Sequence, residues 1–460
     1  MQKLLMLGTS LGSVDIVRKA QGMGCHVIVT DGLAPEASRA KLVADESWPI
    51  DTGNVGALEE RCRAEGVGGV FAGVSEFNLD RTIELCGRLG LPCYIAPEGW
   101  ETARNKGRFL DICHREGVPT ADQYAPDPAL MDQAVTELAT GGVRDATRAR
   151  LDEELAAVRF PVVVKPVDCS GNQGVSFCDT PEELVRAWQL VRQVSENPRV
   201  VVEQRLVGDE FSIVYALVGG QARMLRLGAT YNEPGHPPNI YDFGTTISTG
   251  YCTYLRDVDP GVRRVLAASG CRDGIASVQA IRTADGVFHL FELGYRLTAD
   301  MGYDKMIAMT GFDAIQWLLD FQLGRGHEAD ELPRPPERPM RESSNVYFFF
   351  AAHAGTIASI RGLEELEGTL VDDPQARRDV ADDHIAVDML AQEGMEVTAG
   401  RLMGKLTFHA YDAAAVVATL RHINARVSIR DERGRDLVVR FSRYADLLAA
   451  EAQEQAPDQG

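Results

Sequence analysis

The first hundred residues alternate short apolar runs with helix-length segments, a pattern that restricts this part of the chain to a mostly parallel sheet covered by helices. Lys3 to Leu7 reads as a strand ending at Gly8, and the spacing predicts a helix from Val14 to Met23. Cys25 to Thr30 is a second strand, ending at Asp31. Val70 to Val74 is a third, a helix follows from Leu79 to Leu89, and Tyr94 and Ile95 begin a further short strand. The turn Gly8-Thr-Ser-Leu-Gly12-Ser, with Asp31 about where a ribose-binding acid falls, suggests a dinucleotide fingerprint. Its glycines lack the GxGxxG spacing, and a tight strand-to-helix turn is the plainer reading. A dinucleotide-dependent oxidoreductase is what this turn alone would support.

A length of 460 residues predicts two or three domains, and 45% apolar residues are enough to give each a core. The net charge of −20 argues against nonspecific binding to nucleic acid or to an anionic membrane. No apolar stretch approaches the length that spans a bilayer. The opening MQKLLMLGTS has too short an apolar run for a signal peptide. The nine cysteines include no CxxC pair. Together these features lead us to expect reduced thiols and a cytoplasmic protein.

The stretch Phe160-Pro-Val-Val-Val-Lys165-Pro-Val-Asp-Cys-Ser170-Gly171-Asn-Gln-Gly174-Val carries chemistry. Its β-branched run reads as a buried strand ending in a compact cation. The following loop can close backbone N–H groups over phosphates, because Gly171 and Gly174 let the main chain approach closely. This is not the P-loop order, in which the lysine follows the glycines. The competing reading is a surface lysine before an ordinary turn. Cys169, in the same loop, reads as a bystander rather than a nucleophile.

Residues 126 to 157 are polar, Ala-rich and predicted helical. Asp179 or Thr180 can cap a helix starting at Pro181-Glu-Glu. Arg199 to Glu203, Phe211 to Val218 and Val287 to Glu292 read as strands, with Gly219-Gly220 as a hairpin turn. Residues 329 to 343 hold four prolines and read as a linker. Beyond it, Asn345 to Ala351, Gly355 to Ile360, Arg401 to His409, Arg426 to Arg430 and Val438 to Phe441 read as strands, and the tail after Tyr444 as a helix that frays.

Taken in order, these motifs resemble the ATP-grasp superfamily, as built in biotin carboxylase, the carbamoyl-phosphate synthase large subunit and formate-dependent phosphoribosylglycinamide formyltransferase. The resemblance covers most of the chain. It implies an α/β protein in which residues 1–102 form a doubly wound domain. Residues 103–328 then form the α+β nucleotide-binding domain, 329–343 the linker, and 344–460 a small β-rich domain. Arg104-Asn-Lys106-Gly-Arg-Phe109 looks like the family's first nucleotide lysine, and Lys165 like the second. Val202-Glu203-Gln-Arg-Leu206 resembles the hinge strand that meets adenine, and Gly208-Asp-Glu210 the G-x-E whose acid often holds ribose. Glu292-Leu-Gly294-Tyr-Arg296 resembles the closing E-x-N-x-R. The resemblance implies ATP and Mg²⁺ as cofactors and a reaction in which a carboxylate is phosphorylated and then attacked by an amine. Lys106, Lys165, Ser170, Gly171, Gly174 and His236 would then face phosphate, Glu292 would hold the metal, and Arg296 would clamp the acid or the moving phosphoryl group. Relatives in the superfamily are often dimers, so a homodimer is one implied assembly.

Two residues depart from the pattern. The asparagine ligand falls at Gly294, and the first acidic metal ligand falls at Gln279, which has no charge to offset magnesium. Asp300 or Glu233 is a candidate to compensate. The alternative is a nucleotide-binding regulatory protein that has lost catalysis. For the substrates, Glu76 matches a contact position of the formyltransferase, Asp300 lies one residue from a similar substrate acid, and Arg401 stands where that enzyme has two arginines. A single arginine argues against a phosphoribosyl substrate and for an amino acid or small carboxylic acid, with a purine-pathway formyltransferase or carboxylase as the rival. His236, in the loop Tyr231 to Tyr241, reads equally as a phosphate contact or an ordinary loop histidine.

Overall fold

Strand pairing in the computed structural model follows the apolar runs. The structure describes residues 1–167, 173–195, 197, 199–234, 241–300, 302–340, 342–366 and 385–455. A four-stranded parallel sheet runs in the order Glu46–Trp48, His26–Thr30, Lys3–Leu7, Val67–Ala72. Helices Ser13–Gly22, Val55–Glu65 and Glu76–Leu89 connect these strands, as a doubly wound sheet requires. Tyr94 and Ile95 do not form the expected strand. They are buried, and the Tyr94 amide donates instead to Gln322 Oε1 at 2.8 Å.

A second four-stranded sheet, antiparallel, is ordered Gln123–Tyr124, Val200–Gln204, Val162–Pro166, Ser176–Cys178. Helix Pro181–Val194 covers it, with Thr180 Oγ1 accepting from the Glu183 amide at 3.2 Å as its cap. Helices Pro128–Thr140 and Asp145–Glu154 occupy the predicted Ala-rich stretch.

The third sheet has eight strands, in the order Phe288–Gly294, Gly274–Thr283, Gly208–Val218, Gln221–Tyr231, Phe243–Thr245, Ser343–Phe350, Leu402–Ala410, Ala386–Met389. Gly219 and Gly220, at φ +58° and +80°, make the tight turn between Val218 and Gln221. The sheet continues past the proline-rich stretch, because Phe243–Thr245 pairs with Ser343–Phe350. Val438 to Phe441 is not a strand; only Val438 forms an isolated bridge, with Ala351. Helix Ala413–Arg426, absent from the sequence reading, packs on this end of the sheet, and Tyr444–Gln455 is helical as expected.

Three apolar cores result among the described residues. One joins the parallel sheet to the large sheet, through residues as far apart as Leu4 and Leu332. One fills the small antiparallel sheet and its helices. The last lies under the C-terminal strands, around Tyr347, Phe408 and Phe441. Among the described residues, no helix is long and apolar enough to cross a membrane.

Candidate active site

The register of the large sheet gathers chemistry on one face. Gln279 stands opposite Glu292 on one side and Ser212 on the other, and Ser212 stands opposite Gly228. Side chains two apart on a strand share a face, so Glu210, two before Ser212, joins Gln279 and Glu292. The same rule brings in Arg226 and Thr230, two residues either side of Gly228.

The Glu210 carboxyl feels its surroundings. Burial, and then the Glu292 carboxylate, raise the pKa of Glu210 to about 7. Lys106, the first residue of helix Lys106–Arg115, reaches Glu292 Oε1 at 3.3 Å. Asn105 caps that helix by accepting from the Arg108 amide, and the Lys106 amide donates to the Val167 carbonyl at 3.3 Å. The lysine is thereby tied to the end of the strand that carries Lys165.

Lys165 comes from the opposing small sheet. Its ammonium pairs with Glu203 on the neighbouring strand, where the register sets Val163 opposite Glu203. It also lies 5.8 Å from the centre of the Phe291 ring, so the two sheets face each other across the site. Both members of the pair are deeply buried, and Glu203 Oε1 has no hydrogen-bond partner among the described residues. After Gln204 the ladder ends. The Gln204 and Arg205 amides donate to the Asp122 and Pro161 carbonyls, and half-buried Leu206 starts the segment leading to Gly208.

This donor set fits a magnesium nucleotide. A buried acceptor without a donor suits an adenine amine, and adjacent carboxylates suit a cation. Glu292 and Gln279 would hold the metal, which when bound draws charge from the phosphates. Among the described residues no group of three or more His, Cys, Asp or Glu forms a metal cluster. Gly174, at φ +76°, lies close to Pro166, where an added Cβ would also fall 2.8 Å from Val194 Cγ2. Ser170, Gly171 and His236 lie outside the described residues.

The expected substrate residues are placed as follows. Arg296 donates through Nη2 to Glu76 Oε1 at 3.2 Å and through Nη1 to the Leu297 carbonyl at 2.9 Å, so these two residues form one pair across the chain. Asp300 is buried and accepts from Arg226 and from Thr298 Oγ1, while Lys405 Nζ donates to its carbonyl at 2.5 Å. Burial pushes the Asp300 pKa up, but Arg226, Thr298 and Lys405 outweigh it, and the net shift is downward. Glu233 accepts from the Ser442 amide and hydroxyl through its two oxygens, which commits it to the C-terminal segment. Arg401 is exposed at the start of strand Leu402–Ala410. Asp31 accepts from Thr9, Ser38 and the Leu33 amide and pairs with Lys41 at 2.9 Å, which explains its place without a ribose. Sequence reasoning missed Arg226, Lys405 and Phe291. The signal for the first two was a cation at an inward position of an otherwise apolar strand.

The two facing sheets beside a doubly wound domain share the fold of two solved structures. The L-amino acid ligase from Bacillus licheniformis superposes with a TM-score of 0.70 at 18% identity, covering 94% of this chain and 99% of that one. The biotin carboxylase domain of Hydrogenobacter thermophilus 2-oxoglutarate carboxylase, solved with MgADP and bicarbonate, gives a TM-score of 0.70 at 17% identity over 93% of this chain and 91% of that one. Formate-dependent phosphoribosylglycinamide formyltransferase from Prochlorococcus marinus (strain MIT 9303) is 28% identical over 205 residues, 44% of this chain and 47% of the relative. The chain thus spans about half the length of the curated relatives it matches. No protein-family model matches it.

Proposed function

We propose that this protein is an ATP- and Mg²⁺-dependent ligase that activates a small carboxylate, such as an amino acid, as an acyl phosphate for attack by an amine. The observation that carries the reading is the convergence of Lys106 and Lys165, from two different elements, on a sheet face bearing Glu210, Gln279 and Glu292. Two separated lysines can neutralise a triphosphate from two sides, and phosphoryl transfer depends chiefly on such positioning and charge. Glu203 would meet the adenine edge and Glu210 the ribose. Arg296, four residues beyond Glu292, would present a planar cation to the acid once Glu76 releases it. Glu76 and Arg401 flank the site as contacts for the remaining substrate. The expected setting is the cytoplasm, and a homodimer is the expected assembly.

A second reading, a formyltransferase acting on a phosphoribosyl amine, is favoured by the names of the curated relatives. Phosphate release separates the two. Purified protein with MgATP is offered a panel of amino acids in pairs, and in parallel formate with a phosphoribosyl amine. The ligase reading expects release that needs both an acid and an amine, with a mass-spectrometric product equal to their sum less water. Release only with formate and the phosphoribosyl amine would overturn it. Release with neither, in protein that binds ATP, would favour the regulatory reading, with Gln279 and Gly294 as its cause.

A further inference from the structure

Three cations of the site each hold a carboxylate of the site. Lys106 pairs with Glu292, Lys165 with Glu203 and Arg296 with Glu76. The first pair differs from the others in what it joins. Lys106 is assigned to phosphate and Glu292 to the metal, and phosphate and magnesium also bind each other. One ion pair of the protein therefore faces one ion pair of the ligand, with the charges crossed.

Geometry makes this pair exchangeable. Lys106 Nζ lies 3.3 Å from Glu292 Oε1, and the two side chains are 13% and 36% exposed, against 8% and 4% for Lys165 and Glu203. Water reaches the Glu292 carboxylate, so the pair is weak enough to open. Both backbones are held. Lys106 is the first residue of helix Lys106–Arg115, its amide donates to the Val167 carbonyl at 3.3 Å, and Asn105 caps the helix by accepting from the Arg108 amide at 3.0 Å. Glu292 stands opposite Gln279 in the ladder, and the register skips Phe291 just before it. Such a bulge re-aims the side chains beside it. With both main chains fixed, partner exchange needs only rotation of two side chains.

We propose that the Lys106–Glu292 pair is a partner-exchange switch that couples magnesium binding to nucleotide binding: Glu292 leaves Lys106 for the cation, and Lys106 takes phosphate. The inference rests on the nucleotide reading of these two residues and adds how they act on each other. Nucleotide alone must draw Lys106 from Glu292 and leave that carboxylate facing phosphate. Magnesium alone must draw Glu292 away and leave Lys106 without that carboxylate. Bound together, each ligand satisfies the half of the pair that the other releases. By linkage, each then tightens the other by the same factor.

The test is calorimetry of ADP binding to the full chain, with Mg²⁺ or with EDTA, so that turnover is not needed. Four proteins are compared: wild type, Lys106→Met, Glu292→Gln and the double variant. With EDTA, Glu292→Gln should tighten ADP binding at least about two- to fivefold, the worth of a partly exposed pair that no longer has to open. Relief of repulsion between Glu292 and phosphate has the same sign, so the double variant decides. In the Lys106→Met background the gain from Glu292→Gln should be smaller by about that two- to fivefold, because no pair is left to break. An equal gain in both backgrounds would overturn the switch. Lys106→Met should also weaken ADP binding more with Mg²⁺ than with EDTA, because Glu292 has by then released the lysine. A lysine acting on phosphate alone would show the reverse, since Mg²⁺ offsets the phosphate charge, and that result would overturn the proposal too. If melting curves show that Lys106→Met does not fold, Lys106→Gln takes its place. ADP binding with additive variants would remove the switch and leave the nucleotide reading standing. No ADP binding by the wild type in either condition would remove that reading, and the switch with it.

Discussion

Lys165 and Glu203 illustrate how one pair can serve both fold and site. With side chains 8% and 4% exposed, neither charge is solvated, and removing one strands the other. Breaking such a pair costs about 3–5 kcal/mol. Lys165→Ala should therefore lower Tm as well as weaken ATP binding. Adding Glu203→Gln should restore most of the Tm and none of the affinity; calorimetry showing wild-type ATP affinity in the folded double variant would remove Lys165 from the nucleotide site. Glu210 offers a pH test. Its pKa in the folded chain, about 7 against an ordinary 4.5, means that the native state favours the neutral acid. The stability it contributes is complete below about 4.5 and is lost as pH rises through about 7. Glu210→Gln should flatten that part of the stability–pH profile. Glu292→Gln removes the second cause of the shift and should move the Glu210 titration acidward, read by carbon NMR of labelled glutamate. Glu292→Gln should also slow phosphoryl transfer by orders of magnitude if Glu292 holds the metal. At this scale the sequence displayed Lys106, which opens a helix, and Lys165, which stands near the end of a strand. It hid Arg226, whose pairing with Asp300 depends on which segments lie beside it. It also hid the partners of Glu76, Asp300 and Asp31.

Among the elements, the start of strand Gly208–Val218 positions Glu210, and it tolerates no side chain. A Cβ at Gly208 would fall 2.0 Å from the Arg282 carbonyl on the paired strand. Gly208→Ala must push those strands apart, and such overpacking costs about 1–3 kcal/mol. The expected result is a lower Tm together with weaker nucleotide binding, because Glu210 moves with its strand; unchanged affinity would mean that Glu210 does not touch the nucleotide. Elements were legible where local chemistry agreed with tertiary context. The β-branched run Val162 to Val164 and the cap at Thr180 are examples. Tyr94–Ile95 and Val438 to Phe441 had the composition of strands but lack neighbours to pair with, and a side-chain amide or a single bridge satisfies them instead. Helix Ala413–Arg426 was missed because its alanines and valines give little helical contrast between faces.

Across the whole molecule, segments that are distant in sequence share cores and latches. The large sheet crosses the proline-rich stretch, so the C-terminal strands extend the sheet that carries Gln279 and Glu292. Asp388, on its far edge, pairs with Arg39 and accepts from the Gly12 amide at 3.0 Å, closing the ring back to the first helix. No periodicity argument finds such contacts, because each partner is an ordinary polar residue in its own stretch. Under the proposed function, the Glu76–Arg296 pair must open for Arg296 to meet the acid. Its side chains are 28% and 24% exposed, so solvent weakens the bond enough for a substrate carboxylate to compete for the guanidinium. Arg296→Lys keeps the charge but loses the two-pronged grip, and should raise the KM of the acid and lower kcat with ATP affinity little changed. Glu76→Gln frees Arg296, and if Glu76 only restrains that arginine, the KM of the acid should fall. Because the two residues touch, their effects should not add: in the double variant, Glu76→Gln should have little further effect once Arg296 is lysine. Steady-state kinetics of the four proteins measure that coupling. Additive effects would mean that Glu76 and Arg296 act on different substrates. Normal acid kinetics in Arg296→Lys would move the search for the clamp to Arg401.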